Sequence, residues 1–165
     1  MKRSIALTLL VGVALVSAAA PASAGKPVRE FLPSGDAVIP GVCDFDLGIT
    51  VLENNEYITT FFDKEGNITR QHIAGRFVVE LRNEETDDSI VANISGPGTI
   101  TFTDDSTVWN TVGQWLWIFF PGDLGEGEPG MALLTTGQFV VEFGPDDVSI
   151  LKRRGRQVDV CALLS

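Results

Sequence analysis

The residues best suited to chemistry lie around one aromatic segment, GQWLWIFFPGD, residues 113–123. Side chains of an extended strand alternate between its two faces. A strand through this segment would therefore place four large aromatic side chains on one face: Trp109, Trp115, Trp117 and Phe119. Such a wall can enclose a small apolar or aromatic molecule, so we predict these four residues as ligand-binding. The alternative is that they fill the interior of a β-barrel, as large side chains do in barrels of about eight strands.

The opposite face of the same strand is also apolar. It carries Val108, Val112, Leu116, Ile118 and Phe120. A barrel interior cannot cover its own outside, so this face needs another cover. We expect the apolar N-terminal arm to provide it, with the loop at residues 121–130 or a second copy of the chain as alternatives.

Catalytic signals are weak. His72 is the only histidine, and no motif typical of serine hydrolases, zinc proteases, phosphate loops or dinucleotide binding occurs. The enzyme alternative is a cyclase or isomerase that uses pocket shape and one carboxylate, with Glu80 or Glu142 as candidates because each lies on an otherwise apolar strand. We expect a protein that is not an enzyme and needs no cofactor.

A metal site is not expected either. Zinc would need more histidines or free cysteines than the chain offers. Calcium needs clustered oxygen ligands, for which the glycine-rich loop at residues 121–130 offers Asp123, Glu126 and Glu128. Paired acids at other turns are explained by the turn geometry that aspartate favours.

The charge balance argues against nucleic acid as a partner. The chain has 12 Lys and Arg against 22 Asp and Glu, a formal net charge of −10, which leaves few cations to neutralise phosphates. Four cations cluster near the C-terminus: Lys152, Arg153, Arg154 and Arg156. We interpret them as a charged turn between the last two strands, with an anion site as the alternative.

The first 24 residues have the pattern of a signal peptide. Lys2 and Arg3 precede a mostly apolar stretch, and Ala22-Ser23-Ala24 forms a cleavage site. Cleavage would leave ten cations against 22 acids, a charge of −12, and one domain without a membrane span. We therefore predict a secreted, extracellular protein.

Cys43 and Cys161 are the only cysteines. Since an exported protein meets an oxidising environment, we predict a disulfide between them. It would join the first apolar strand to the last.

Period-two alternation of apolar and polar residues runs from Cys43 onward, in about ten segments separated by turns such as DKEGN, SGPG and GPDD. Residues 25–42, with three prolines, predict an extended arm, and residues 43–165 a single domain of about eight to ten antiparallel strands without a helix. Because the disulfide would tie the ends of this meander together, we favour a closed up-and-down β-barrel, with a β-sandwich as the alternative.

Five segments, in this order, carry a resemblance: LPSGD, SGPG, GQWLWIFFPGD, LLTTGQF and the ending VDVCALLS. Together they resemble a family of uncharacterised small exported proteins of high-GC Gram-positive bacteria. The resemblance covers residues 33–165 and implies no catalytic residue. The expected architecture is also similar to that of dirigent and allene oxide cyclase barrels, as an analogy of fold alone.

These patterns lead to three functional hypotheses. The first is an extracellular β-barrel that binds a small apolar or aromatic ligand. The second is the barrel enzyme described above. The third is a structural or interaction module that forms a homo-oligomer through the outer face of residues 108–120.

Overall fold

A computed structural model describes residues 25–165 of the protein. The signal peptide predicted for residues 1–24 lies outside the described residues. The described chain forms nine strands and one short helix: β1 (Val28–Phe31), β2 (Ala37–Ile39), β3 (Leu47–Phe62), β4 (Ile68–Asn83), β5 (Ser89–Asn93), β6 (Gly98–Phe102), β7 (Thr107–Phe119), β8 (Met131–Phe143), β9 (Val148–Asp159) and α1 (Val160–Leu163).

All nine strands belong to one antiparallel sheet, in the order β1-β3-β4-β6-β7-β8-β9. Strands β2 and β5 extend it at the sides, since β2 pairs with β3 and β5 with β4. Apart from β2 and β5, strands that are neighbours in this order also follow one another in the chain. Short turns between successive strands favour this antiparallel pairing. The predicted antiparallel, all-β arrangement of eight to ten strands is confirmed.

Two details differ from the expectation. The N-terminal arm contributes two strands, β1 and β2, which both pair with β3. The predicted final strand ends at Asp159, whose side chain accepts a hydrogen bond from the Ala162 backbone N–H at 3.1 Å and begins α1. The prediction of no helix was therefore wrong at this point, because an aspartate N-cap outweighed the alternating pattern.

The predicted disulfide between Cys43 and Cys161 is present, with the two Cα atoms 5.3 Å apart. It joins the segment after β2 to α1, so the two ends of the sheet lie together. Hydrogen bonds do not close the sheet: within residues 25–165, β9 pairs only with β8. The side of β9 that faces away from β8 is therefore an open edge.

A row of glycines crosses the last three strands. Gly113 of β7 pairs with Gly137 of β8, which pairs with Gly155 of β9. Their φ angles are 86°, 117° and 106°, a range that residues with a side chain rarely adopt. A Cβ atom at Gly137 would meet the backbone of Arg154. All three strands therefore bend together along this row.

The bend folds the three strands back on themselves. The backbone N–H of Val148 donates to the carbonyl of Asp123 at 3.2 Å, although these residues lie beyond opposite ends of β8, a strand that would be about 40 Å long if straight. The rings of Trp109 and Trp117 are 6.2 Å apart, whereas eight residues of straight strand span about 26 Å. We call residues 114–119 and 131–136 the inner half of the β7–β8 hairpin, and residues 107–112 and 138–143 the outer half.

The inner half forms a middle layer between two apolar clusters. The aromatic cluster lies between the inner and outer halves and centres on Trp117, Phe119, Leu133, Phe139 and Val141. The aliphatic cluster lies on the other side of the inner half, where Leu116, Ile118, Ala132 and Leu134 pack against residues of β3, β4, β5 and α1.

This layering explains how both faces of the aromatic strand are covered. Leu116 and Ile118, for which we expected the arm as cover, pack within the aliphatic cluster. Val112 and Phe120 remain 49% and 45% exposed. Ile39 and Val42 of the arm belong to the same aliphatic cluster, so the expectation that the arm helps to cover this face is confirmed in part, while Phe31 and Val38 of the arm stay exposed.

Candidate functional site

The four predicted ligand-binding residues lie together in the aromatic cluster. Trp117 is its centre: its ring stacks on that of Phe119 at 5.9 Å and lies 6.2 Å from the rings of Trp109 and Trp115. Alternation along β7 and the bend at Gly113 together bring them into contact. They pack mainly on one another and on Phe139 and Phe143.

Two polar atoms inside this cluster lack partners. The indole nitrogens of Trp115 and Trp117 are buried and donate no hydrogen bond, and in the described part of the chain they are the only buried side-chain nitrogen or oxygen atoms without a partner. An unpaired buried donor typically costs about 1–3 kcal/mol. The cluster therefore offers two donors to any acceptor that enters it.

Glu56 is a buried carboxylic acid that the sequence analysis missed. It is 5% exposed and lies on β3 opposite Gly75, next to the backbone bend of β4. Burial alone raises the pKa of Glu56 to about 7, without an opposing hydrogen bond or cation. Strand alternation places it with Ile58 and Thr60 on the buried side of β3, and that alternation was the available signal.

An open groove is lined by residues of β5, the inner half of the β7–β8 hairpin, β9 and α1. We call it the β5–β9 groove; its volume is about 330 Å³, and it is lined by Val91, Ala92, Asn93, Gln114, Leu134, Thr135, Thr136, Arg156, Val158 and Leu163. Ala92 and Leu134 belong to the aliphatic cluster, so the groove is where that cluster reaches the surface. Val91 and Leu163 at its rim are 64% and 52% exposed.

Three polar side chains form a row at one end of this groove. Gln114 of β7 pairs with Thr136 of β8, which pairs with Arg156 of β9. Each residue lies directly beside the glycine row, so the bend fixes their positions. None of the three side chains forms an ion pair or hydrogen bond with another side chain described in the structure.

The next residues of β8 and β9 are apolar on the same face. Leu134 pairs with Val158 two positions from Thr136 and Arg156, and strand alternation places residues i and i+2 on one side. The groove thus has a polar end and an apolar end. Arg156 is the only charged residue that lines it.

The carboxylates of the enzyme hypothesis and His72 each lie beside a serine or threonine hydroxyl. Glu80 accepts a hydrogen bond from the Ser89 hydroxyl at 3.0 Å, and Glu142 accepts one from Ser106 at 2.8 Å. The His72 ring lies 3.3 Å from the hydroxyl of Thr99 on the neighbouring strand β6. These residues are not brought together at one site.

The calcium candidates lie at a second depression, of about 510 Å³. Asp123 and Glu126 line it together with Asp146 and Asp147 from the β8–β9 turn, while Glu128 does not. No group of three or more acidic, histidine or cysteine side chains in residues 25–165 has a geometry that could hold a metal ion. Asp123 instead accepts a hydrogen bond from the Phe120 backbone N–H at 2.8 Å, which is a turn contact.

The basic cluster at residues 152–156 lies within β9 and was wrongly expected to be a turn. Lys152, Arg154 and Arg156 pair with Val140, Gln138 and Thr136 of β8, and alternation sends Arg153 to the other face. Gly155 interrupts the cluster at the bend. Arg156 is thereby the one cation of the four that lines the β5–β9 groove.

Within residues 25–165, the single helix has four residues, and no helix is long and apolar enough to cross a membrane.

Comparison with known proteins adds no assignment: no family model, curated protein or solved structure matches this chain.

Proposed function

We propose that the protein is an extracellular protein that binds a small apolar or aromatic ligand in the β5–β9 groove. The observation that carries the proposal is the exposure of the aliphatic cluster at this point. Ala92 and Leu134 form a concave apolar floor, and apolar concave sites with a few polar groups are typical of small-molecule binding. The groove volume of about 330 Å³ lies at the lower end of the range for such sites.

The exposed rim supports the same proposal. Val91 and Leu163 line the groove and present large apolar side chains to solvent. A ligand would shield both side chains and the floor between them, and this burial of apolar surface would favour binding.

The first experiment is native mass spectrometry of the protein recovered from its own culture medium. A mass excess that disappears on denaturation would show a retained ligand. Binding of N-phenyl-1-naphthylamine, a neutral aromatic probe whose fluorescence rises in apolar surroundings, gives a second readout. We expect the probe to bind the purified protein and a retained ligand to compete with it.

Two leucines give a matched pair of variants. Leu163 and Leu52 are both 52% exposed, but only Leu163 lines the groove. We expect Leu163→Asp to weaken probe binding by roughly tenfold or more, because it places a charge beside the apolar floor, and Leu52→Asp to leave binding unchanged. Equal effects of the two substitutions would place the probe elsewhere and contradict the proposal.

A second candidate site is the aromatic cluster, and the two unpartnered indole nitrogens favour it. Here the ligand would be an aromatic molecule with a hydrogen-bond acceptor, held by Trp109, Trp115, Trp117 and Phe119. Trp115→Phe keeps the apolar ring and removes one donor. If this site is used, Trp115→Phe weakens binding while Leu163→Asp does not, so the two variants separate the two sites.

A further inference from the structure

The β5–β9 groove has a chemical asymmetry that narrows the class of ligand. We infer that its ligand is an amphipathic carboxylic acid, bound with the carboxylate at the Gln114–Thr136–Arg156 row and the apolar tail along Leu134 and Val158. This inference rests on the proposed function, because it assigns the ligand class of the same groove.

The polar row supplies the donors that a carboxylate needs. A guanidinium group can donate two parallel hydrogen bonds to a carboxylate, and an amide and a hydroxyl add further donors. Cross-strand neighbours lie about 5 Å apart, so Thr136 is within reach of a group bound to Arg156. Gln114 lies on the far side of Thr136 and can donate to the second carboxylate oxygen.

The charges around the polar row of the groove favour an anionic group, although the protein as a whole is acidic. The formal net charge of the whole chain is −10, yet the groove lining contains no acidic residue, and its one charged residue is Arg156. Arg154 lies two residues away on the same face of β9. An anionic group would therefore meet cations here, whereas a cationic one would be repelled.

The apolar end accounts for the rest of the ligand. Leu134 and Val158 form the strip next to the polar row, and Val91 and Leu163 flank it. Since these side chains offer no donor or acceptor, the part of the ligand that covers them must be hydrocarbon. A simple anion such as acetate would occupy only the polar end.

The test is isothermal titration calorimetry of the disulfide-bonded protein with octanoate, 1-octanol and acetate. Octanoate carries both the carboxylate and the hydrocarbon tail. 1-Octanol carries the tail with an uncharged hydroxyl group, and acetate carries the carboxylate without the tail. We expect octanoate to bind about tenfold or more tightly than 1-octanol, and acetate to show no measurable binding. Octanol binding as tightly as octanoate, or acetate binding as tightly as octanoate, would overturn the inference.

Two arginines of β9 give the matched control. Arg156→Gln removes the charge from the groove, and Arg154→Gln removes an equal charge two residues away, outside the lining. Both side chains are exposed, so neither change should affect folding. We expect Arg156→Gln to weaken octanoate binding about tenfold without changing that of 1-octanol, and Arg154→Gln to change either by less than about threefold.

The outcomes separate the inference from the proposed function. If octanol binds, loses affinity in Leu163→Asp and equals octanoate, the groove binds ligands but the carboxylate assignment is wrong. If neither octanoate nor 1-octanol binds but N-phenyl-1-naphthylamine binds and loses affinity in Leu163→Asp, the inference fails and the proposed function stands. If none of the three binds, the proposed function itself fails.

Discussion

The two apolar clusters on either side of the inner half of the β7–β8 hairpin differ in their exposure to solvent. The aromatic cluster is enclosed by the fold of the hairpin, and its central residues Trp117 and Phe119 are 6% and 1% exposed. The aliphatic cluster is equally buried at Leu47 and Val79, but it opens to solvent at the β5–β9 groove. The same six-residue stretch of β7 therefore serves a closed core on one face and an accessible surface on the other.

The contrast shows that a concentration of aromatic residues on one face of a strand does not by itself create a surface open to solvent. Large rings in this protein meet each other because the strand folds back, and they fill the space that the fold creates. The apolar surface that solvent can reach lies instead where β5, β8 and β9 line the β5–β9 groove. Ligand binding in the groove would then depend on the uncovered edge of the sheet, whereas stability would depend on the bend along the glycine row.

We expect the greatest loss of stability from a substitution in the glycine row, because the bend there separates the two clusters. Gly137 has φ 117° and no room for a Cβ beside the Arg154 backbone. We expect Gly137→Val to destabilise the protein by more than about 4 kcal/mol, through backbone strain and steric overlap together. Thermal unfolding followed by circular dichroism measures this, with Gly35→Ala as the control, because a Cβ at Gly35 meets nothing within 4 Å.

A pair of truncations compares the clusters directly. We expect Trp117→Ala to cost about 3–5 kcal/mol, since it leaves a cavity among packed rings. Leu134→Ala should cost about 2 kcal/mol, because its surroundings at the groove already admit water. Urea unfolding of both variants gives the comparison, and an equal or larger cost at Leu134 would mean that the groove side is the better packed one.

A smaller effect on stability is expected from Glu56, whose buried carboxyl group lies on β3 opposite Gly75. Because the pKa of Glu56 in the folded protein is raised to about 7 from 4.5, the folded protein favours the protonated acid. The stability that the folded protein gains from holding Glu56 in its protonated form is therefore fully present below pH 4.5. It is lost as the pH rises through 7. Glu56→Gln should remove this dependence and stabilise the protein at pH 8 by about 1–3 kcal/mol.

Unfolding in urea at pH 5 and pH 8 measures the effect. Glu85→Gln is the control, since Glu85 is exposed. A Glu56→Gln variant with the same pH dependence as the unchanged protein would show that the carboxyl group is hydrated.

The glycine row was visible in the sequence only in part. Four strands each carry a glycine followed by arginine or glutamine, at Gly75, Gly113, Gly137 and Gly155. An isolated glycine within a strand indicates a bend or a close backbone approach. That three of them align depends on the register of β7, β8 and β9, which pairing across the sheet decides.

Local and pairwise features of the protein follow from its residues alone. Alternation specified the strands and the shared face of the four aromatic residues, because side-chain direction follows from strand geometry. The two cysteines determined the disulfide, since each had one partner available.

Which surfaces are covered and which remain open depends on contacts between distant parts of the chain. Burial of Glu56, the enclosure of Trp117 and the row of Gln114, Thr136 and Arg156 all depend on residues distant in the chain meeting across a bent sheet. Alternation assigns a residue to a face, but the bend at Gly113 decides what that face meets. The physical reason is that period-two patterning describes a strand, whereas solvent access is a property of how strands are layered.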